Sequence, residues 1–173
     1  SLAGVRPPAN MQGGQVLGLA YQQLRVRKPA PPKETSYQMR RRSDRESQMW
    51  IEGIRAAGTA PTSSTWVDVA DRGGDIYEAM VAARQVGHQF LFRVMHNRQI
   101  FLDEGHRRRA YLKDHARTLP SQGQDTVAIP GRGGRPARTA QVELAGCPVW
   151  VPASAEVPRR RSQPVVPVWV ASR

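Results

Sequence analysis

The run of residues 65–98 constrains the fold more than any other part of the sequence. An apolar stretch at Trp66–Ala70, interrupted only by Asp68, predicts a strand. Apolar residues at helical spacing predict a helix over about Ile76–Val86, and a second apolar stretch at Gln89–Met95 predicts another strand. Because the three elements follow one another closely, the simplest assembly is a right-handed βαβ unit with parallel strands.

The turn between the first strand and the helix carries acidic residues around a Gly-Gly pair. Asp75 and Glu78 form a D-x-x-E pattern that predicts a capping box at the start of the helix, and Gly87 is placed to end it. Asp71 follows the first strand directly. Since ligands gather beyond the carboxyl ends of strands in open α/β sheets, Asp71 is the first candidate for a metal ligand. The simpler alternative is that Asp71 only caps its own turn.

The charge of the chain favours a polyanionic partner. The 173 residues include 26 Lys and Arg against 14 Asp and Glu, a net charge of +12. Nucleic acid is the commonest polyanion that binds such proteins. Basic and acidic residues number 10 and 4 in residues 1–63, 4 and 6 in 64–104, and 12 and 4 in 105–173. We expect such a chain to gather divalent cations at its acidic centre and phosphates on its basic arms.

Several classes of protein are excluded by composition. One cysteine, Cys147, allows no intramolecular disulfide and no multi-cysteine zinc site. The four histidines are spaced too widely for a compact zinc motif, so we expect them to be surface or packing residues. No apolar run approaches the roughly 20 residues of a membrane-spanning helix, and no secretory signal opens the chain. We therefore expect a soluble intracellular protein without a membrane partner.

The regions on either side of the central unit also carry patterns. Strands are predicted at Ser1–Val5 and Gln15–Val26, and a Pro-rich basic loop at 28–42. The stretch 41–58 predicts a helix that covers the sheet, with Trp50 in the core. From Gln124 onward, short β-like runs broken by Gly and Pro, among them ARTAQVELAG and CPVWVPA, predict edge strands or strand ends and not central strands.

Several blocks of the sequence carry a family resemblance. WVDVADRGGDIYEAM followed by FLFRVMHNR resembles the second catalytic block of bacterial cut-and-paste transposases of the insertion-sequence-four family. These enzymes carry a DDE triad of carboxylates on a ribonuclease-H-like fold. GRGGRPARTAQVEL resembles the arginine-rich hairpin of the family's β-strand insertion subdomain, and PVWVASR resembles its P-x-x-W-x-L-x-T-S strand. The second block of the family reads D-R-E-A-D-I, so Asp71 matches the second triad residue, although glycines replace the usual Glu and Ala.

The resemblance implies an α/β fold in two parts. Residues 1–118 would form an incomplete ribonuclease-H-like mixed sheet with flanking helices, and residues 119–173 would form part of the β-rich insertion subdomain. LGLAYQQLRVR also resembles the family's second and third core strands, and RRSDRESQMWIEGIRAAG resembles its K/R-E-S-x-x-W helix. The resemblance thus covers nearly the whole chain but only the middle of a transposase. We expect the first triad Asp and the last triad Glu of the family to have no counterpart in this chain, which leaves Asp71 as its one triad carboxylate.

The resemblance also implies partners and cofactors. Two Mg²⁺ ions, with Mn²⁺ as a substitute, would bind at Asp71, and double-stranded transposon ends and target DNA would be the substrates of a synaptic homodimer. Trp169 matches the aromatic residue that receives a flipped base; the alternative is a tryptophan packed in a small sheet. The residues expected to contact DNA are Arg93, Asn97, Arg98, Arg132, Arg135, Arg138 and Trp169.

The function implied for the parent protein is DNA cleavage and strand transfer in the bacterial cytoplasm, at the nucleoid. The isolated chain is expected to be inactive, because two of the three metal-binding carboxylates are missing. Two alternatives remain open. The chain could be a non-catalytic, basic DNA-binding remnant of a transposase, or a basic structural protein associated with nucleic acid in which DRGGD is only a capped turn.

Overall fold

Two compact units, residues 1–95 and 96–173, make up the chain in the computed structural model. The structure describes residues 18–24, 35, 48–153 and 164–172. The described residues of the first unit form two helices, two strands and a short 3₁₀ turn. In chain order these are α1 (Gln48–Ala57), β1 (Val67–Ala70), the 3₁₀ turn (Arg72–Gly74), α2 (Tyr77–Gln85) and β2 (Gln89–Phe92).

The βαβ unit predicted from the sequence is present in the first unit. β1 and β2 pair in parallel, from Val67 opposite Gln89 to Ala70 opposite Phe92. Apolar burial holds α1 and α2 together and against the sheet. The buried residues of this core are Ile51 and Ile54 of α1 and Ala79, Ala82 and Ala83 of α2, with Trp50, Phe90 and Phe92 packed against them. The small alanines of α2 let the two helices approach closely.

The two ends of α2 differ in how well the sequence predicts them. Gly87 adopts a left-handed conformation with φ of 79°, and His88 donates its backbone N–H to the carbonyl of Ala83 at 2.9 Å. This confirms glycine as the helix stop. The N-cap is Ile76, one residue later than the capping box predicts, and the Ile76 side chain forms no cap hydrogen bond. Asp75 is buried, and it accepts a hydrogen bond from the backbone N–H of Met95 at 2.7 Å.

Other sequence predictions for the first unit are corrected or fall outside the described residues. β2 ends at Phe92, three residues earlier than predicted. The described part of the predicted strand Gln15–Val26, residues 18–24, forms no strand. There the Tyr21 hydroxyl donates a hydrogen bond to Glu52 of α1 at 3.4 Å. The strand predicted at Ser1–Val5 and most of the loop predicted at 28–42 lie outside the described residues.

Antiparallel strands around one long strand form the second unit. In chain order its elements are β3 (Gln99–Phe101), β4 (Arg109–Tyr111), α3 (Leu112–Arg117), β5 (Gly123–Ile129), β6 (Arg138–Val151) and β7 (Val166–Ser172). The strand order is β4-β3-β6-β5, and β7 also pairs with β6. The first half of β6 pairs with β5 and the second half pairs with β7. The sequence predicts this stretch as two separate runs, whereas the structure contains one continuous strand of 14 residues.

One face of the second unit's sheet is packed. α3 contacts β4 and β7, and its Leu112 is buried. The largest fully buried side chains of the unit are Ile100, Val149, Val151 and Val166. Residues that alternate with these along the strands have their side chains on the other face, because successive side chains of a strand point to opposite sides.

The described residues therefore have a mixed α/β architecture with open sheets, in agreement with the α/β class predicted from the sequence. The finer ribonuclease-H-like arrangement stays a prediction, because the described part of the parallel sheet has two strands. None of the helices in the described part is both long and apolar enough to cross a membrane.

Candidate nucleic-acid and metal site

Asp71 lies directly after the carboxyl end of β1, with its side chain exposed. Its Oδ1 accepts a hydrogen bond from the backbone N–H of Gly73 at 2.8 Å, and its carbonyl oxygen accepts one from Gly74 at 3.1 Å. Asp71 thus caps the 3₁₀ turn with one carboxylate oxygen, as the simpler interpretation of the sequence predicts. The other oxygen, Oδ2, has no hydrogen-bond partner among the described residues.

Arg93 follows β2 in the same way that Asp71 follows β1. Ala70 lies opposite Phe92 in the parallel register, and the backbone N–H of Arg93 donates to the carbonyl of Ala70 at 3.0 Å. Asp71 and Arg93 are therefore exposed at the same edge of the sheet. A carboxylate is a natural ligand for a divalent cation, and a guanidinium can bind phosphate through two parallel hydrogen bonds.

The turn that carries Asp71 is packed on several sides. A Cβ atom at Gly73 would lie 3.5 Å from Nε1 of Trp50, and a Cβ atom at Gly74 would collide with the Cβ of Ala70. Asp75 at the end of the turn, 2 % exposed, is bound to Met95. The sequence analysis missed this role of Asp75, because the local D-x-x-E pattern contains no information about a partner 20 residues away.

Asp71 alone does not complete a magnesium site. In the part of the chain that the structure describes, no three His, Cys, Asp or Glu side chains form a group that could hold a metal ion. Asp75 is buried, and Asp68 contacts Nδ1 of the buried His88 at 3.0 Å. Mg²⁺ is usually bound by one or two carboxylates together with waters and substrate phosphates. Asp71 offers one exposed oxygen toward such a site.

Arg132, Arg135 and Arg138 lie at a narrow hairpin between β5 and β6. Arg132 and Arg135 exchange two backbone hydrogen bonds, of 3.1 and 3.2 Å, across Gly133 and Gly134. Both glycines have positive φ angles, 60° and 78°, which are those of a type I′ turn. All three arginines are exposed. The hairpin therefore presents three guanidinium groups to solvent, an arrangement suited to phosphate contacts.

Asn97 and Arg98 precede β3 in the second unit. The Asn97 side-chain oxygen accepts the backbone N–H of Lys113 at 2.8 Å, and its amide donates to Asp114 at 3.0 Å. The carbonyl of Arg98 accepts the N–H of Leu112 at 2.9 Å. Both residues thus hold the first turn of α3. The DNA roles expected for Asn97 and Arg98 stay predictions.

Trp169 lies in β7 opposite Pro148 of β6. Its side chain is 76 % exposed, so the described part of the chain does not bury it in a core. The exposed indole can stack on a nucleobase. This position is compatible with the base-stacking role that the family resemblance implies.

The loop between β3 and β4 carries basic residues that the sequence analysis assigned to no site. Asp103 accepts backbone hydrogen bonds from Arg108 at 2.6 Å and from Arg107 at 3.1 Å. These two bonds hold the pKa of Asp103 below its ordinary value. Arg107, Arg108 and Arg109 are consecutive, and all three are exposed. The signal in the sequence was the run DEGHRRR, in which an Asp precedes the arginines at a spacing that suits a turn.

Cys147 is not suited to act as a nucleophile. Its sulfur lies 3.4 Å from Nε2 of His115. Burial raises the pKa of the Cys147 thiol, so the thiol remains protonated at neutral pH, and the thiolate is the reactive form.

The chain matches no model of a known protein family, and no curated protein matches it. The transposase resemblance therefore rests on the sequence blocks alone.

Proposed function

We propose that this chain is the central part of a cut-and-paste DNA transposase, in which Asp71 supplies one ligand to the catalytic Mg²⁺ ions. The observation that supports the proposal is the position of Asp71, an exposed carboxylate after the first of two parallel strands. Arg93 is exposed at the same edge of the sheet. A carboxylate beside a guanidinium offers a place for a divalent cation and for the phosphate that it would activate.

Each residue of this chain has its own part in the proposed function. Asp71 would hold a cation through Oδ2 while Oδ1 keeps its bond to Gly73. Arg93 would orient a phosphate at the strand ends, and the hairpin arginines would bind the DNA backbone. Bound Mg²⁺ supplies the activation of water or of a 3′-hydroxyl and the stabilisation of charge at phosphorus. Because Asp71 alone completes no site, we expect no DNA cleavage by the isolated chain.

A second candidate is a non-catalytic, basic DNA-binding module. The observation that favours it is that Asp71 caps its own turn, while the described residues contain no cluster of three metal-binding side chains. Such a module would bind DNA through its arginines alone. Its affinity for DNA would fall with salt but would not depend on Mg²⁺ through Asp71.

One experiment separates the two candidates. Binding of the full chain to a fluorescent DNA duplex is measured by anisotropy at several salt concentrations, with and without Mg²⁺. The variants are Asp71→Asn and, as a matched control, Asp125→Asn. Asp125 is also exposed, and it also accepts one backbone N–H, from Thr126 at 2.7 Å.

The transposase proposal predicts that Mg²⁺ strengthens duplex binding, and that Asp71→Asn removes the Mg²⁺ effect while Asp125→Asn retains it. Salt-dependent binding without any effect of Mg²⁺ through Asp71 would favour the non-catalytic module. Duplex binding that is too weak to measure even at low salt would contradict both candidates.

A further inference from the structure

The second unit has a row of side chains across the open face of its sheet. Phe101 of β3 lies opposite Arg109 of β4 and opposite Trp150 of β6, and Trp150 lies opposite Pro167 of β7. Directly opposed residues of neighbouring antiparallel strands place their side chains on the same face. Arg109, Phe101, Trp150 and Pro167 therefore form one continuous row across four strands.

Two more aromatic residues belong to this face, because residues two apart in a strand share a face. Tyr111 lies two residues after Arg109, and Trp169 lies two residues after Pro167. Tyr111 is 55 % exposed and Trp169 is 76 % exposed. Phe101 and Trp150 are partly exposed. Tyr111, Phe101, Trp150 and Trp169 are called the aromatic face below.

The opposite face of the same strands contains the core. Ile100 and Val149, which alternate with the aromatic residues, are 0 % exposed. α3 packs there, against β4 and β7. Among the described residues, Phe101 packs against the ring of His106, with centroids 4.9 Å apart. Packing does not account for Tyr111 and Trp169, which are mostly exposed while other side chains of these strands form the core.

Positive charge adjoins the aromatic face. The guanidinium of Arg109 lies over the Phe101 ring, 5.6 Å from its centroid, and Arg107 and Arg108 precede it in an exposed loop. Asp103 of this loop binds the backbone N–H groups of Arg107 and Arg108 with its two oxygens. Its carboxylate thus fixes the shape of the loop through these backbone bonds.

We propose that the aromatic face stacks unpaired bases of a single-stranded nucleic acid, whose phosphates contact Arg107, Arg108 and Arg109. Neighbouring strands lie about 4.8 Å apart, so the face spans about 14 Å from β4 to β7. Four-stranded faces with exposed aromatic residues stack two or three bases, and arginine guanidinium planes stack on bases as well. The identification of this nucleic acid as an opened DNA end rests on the proposed function. The stacking of bases on the aromatic face does not depend on it.

Charge favours nucleic acid over a second copy of this chain. Residues 96–173 contain 13 basic and 6 acidic residues. Two copies that met through the aromatic face would bring two basic units together, and such juxtaposition of like charges is unfavourable. A polyanion with flat apolar bases fits both features of the surface.

The test compares single-stranded and duplex DNA with the full chain. Anisotropy measures binding of labelled 12-nucleotide oligo(dT), oligo(U) and a 12-base-pair hairpin duplex, and quenching of tryptophan fluorescence reports stacking. Tyr111→Ala should weaken oligo(dT) binding by at least about fivefold, the low end of the effect of losing one base–aromatic stack. Tyr111→Phe, which keeps the ring, should restore it. Leu144→Ala, which removes an exposed aliphatic side chain of β6, should leave it within twofold.

The outcomes distinguish this proposal from the transposase proposal. Loss of oligo(dT) affinity in Tyr111→Ala with unchanged duplex affinity supports the aromatic face, whether or not Mg²⁺ acts through Asp71. Weaker binding of oligo(U) than of oligo(dT) identifies single-stranded DNA as the preferred ligand. Equal binding of the two shows that the protein recognises the bases and not the sugar. Equal effects of Tyr111→Ala on oligo(dT) and duplex would overturn the proposal. So would a homodimer, seen by sedimentation, that Tyr111→Ala dissociates.

Discussion

Gly74 lies at the tightest point of the turn after β1. A side chain there would collide with Ala70 and contact the ring of Trp50 at 3.6 Å. The packing of Trp50 and Ala70 against the turn explains why glycine is suited to this position.

We predict that Gly74→Ala lowers the free energy of unfolding by about 1–3 kcal/mol, because overpacking forces neighbouring groups to move. Urea denaturation measures the change. Gly123→Ala is the control, since no atom lies within 4 Å of a Cβ at that position, and its effect should be much smaller. Equal stability of Gly74→Ala and the unaltered chain would show that the turn has room for a side chain.

Asp75 connects the turn to the residue that follows β2. We predict that Asp75→Ala destabilises the chain by about 1–3 kcal/mol, because the Met95 N–H loses the acceptor of a part-buried hydrogen bond. Asp75→Asn keeps an acceptor oxygen and should cost less. Urea denaturation of both variants at one pH measures the difference. If Asn proved as destabilising as Ala, the charge of Asp75 and not its hydrogen bond would be the stabilising feature.

At the scale of elements, local patterns predicted what depends on neighbours in the sequence. The stop of α2 at Gly87 follows from the local conformation of one residue. The start of α2 was predicted one residue too early, and the bond of Asp75 to Met95, 20 residues away, was not predicted. The continuity of β6 through Gly146 was also missed. A Cβ there would lie 3.1 Å from the carbonyl of Val170, so this glycine accommodates the close approach of β7 and does not end the strand.

The loop between β3 and β4 should respond to acid. The folded-state pKa of Asp103 is lowered by the N–H groups of Arg108 and Arg107, so the unfolded chain takes up a proton at higher pH than the folded chain. The resulting stability is present above the ordinary pKa of 3.8 and is lost as pH falls through the folded-state pKa.

We predict that the backbone amide signals of Arg107 and Arg108 shift together in an NMR pH titration, with a midpoint below 3.8. In Asp103→Asn, which has no ionisable carboxyl, this transition should be missing from both signals. A midpoint at or above 3.8 would contradict the hydrogen-bonded carboxylate.

At the scale of the whole molecule, charge was the most informative property of the sequence. The excess of arginine predicted a polyanionic partner, and the structure exposes many of these arginines on a hairpin and a loop of the second unit. The sequence could not predict the aromatic face, because its members come from β4, β3, β6 and β7 and meet only through strand register. Nor could it predict that Asn97 binds Lys113 and Asp114.

We predict that replacing Arg132, Arg135 and Arg138 by Ala weakens duplex binding. The slope of log affinity against log salt should become shallower by about 0.9 for each phosphate contact that is lost. Arg117→Ala is the control, because Arg117 forms an ion pair with Asp114 at 3.4 Å, and it should have little effect. An unchanged salt slope in the triple variant would exclude the hairpin from the DNA interface.

The central claim is that Asp71 binds a divalent cation beside DNA. The most direct test is paramagnetic broadening of backbone amide signals by small amounts of Mn²⁺ in the presence of duplex DNA. We predict that Gly73 and Gly74 broaden before Thr126, which lies beside the control carboxylate Asp125, and that Asp71→Asn abolishes this difference. Equal broadening at the two carboxylates, or broadening of Gly73 and Gly74 that persists in Asp71→Asn, would contradict the claim.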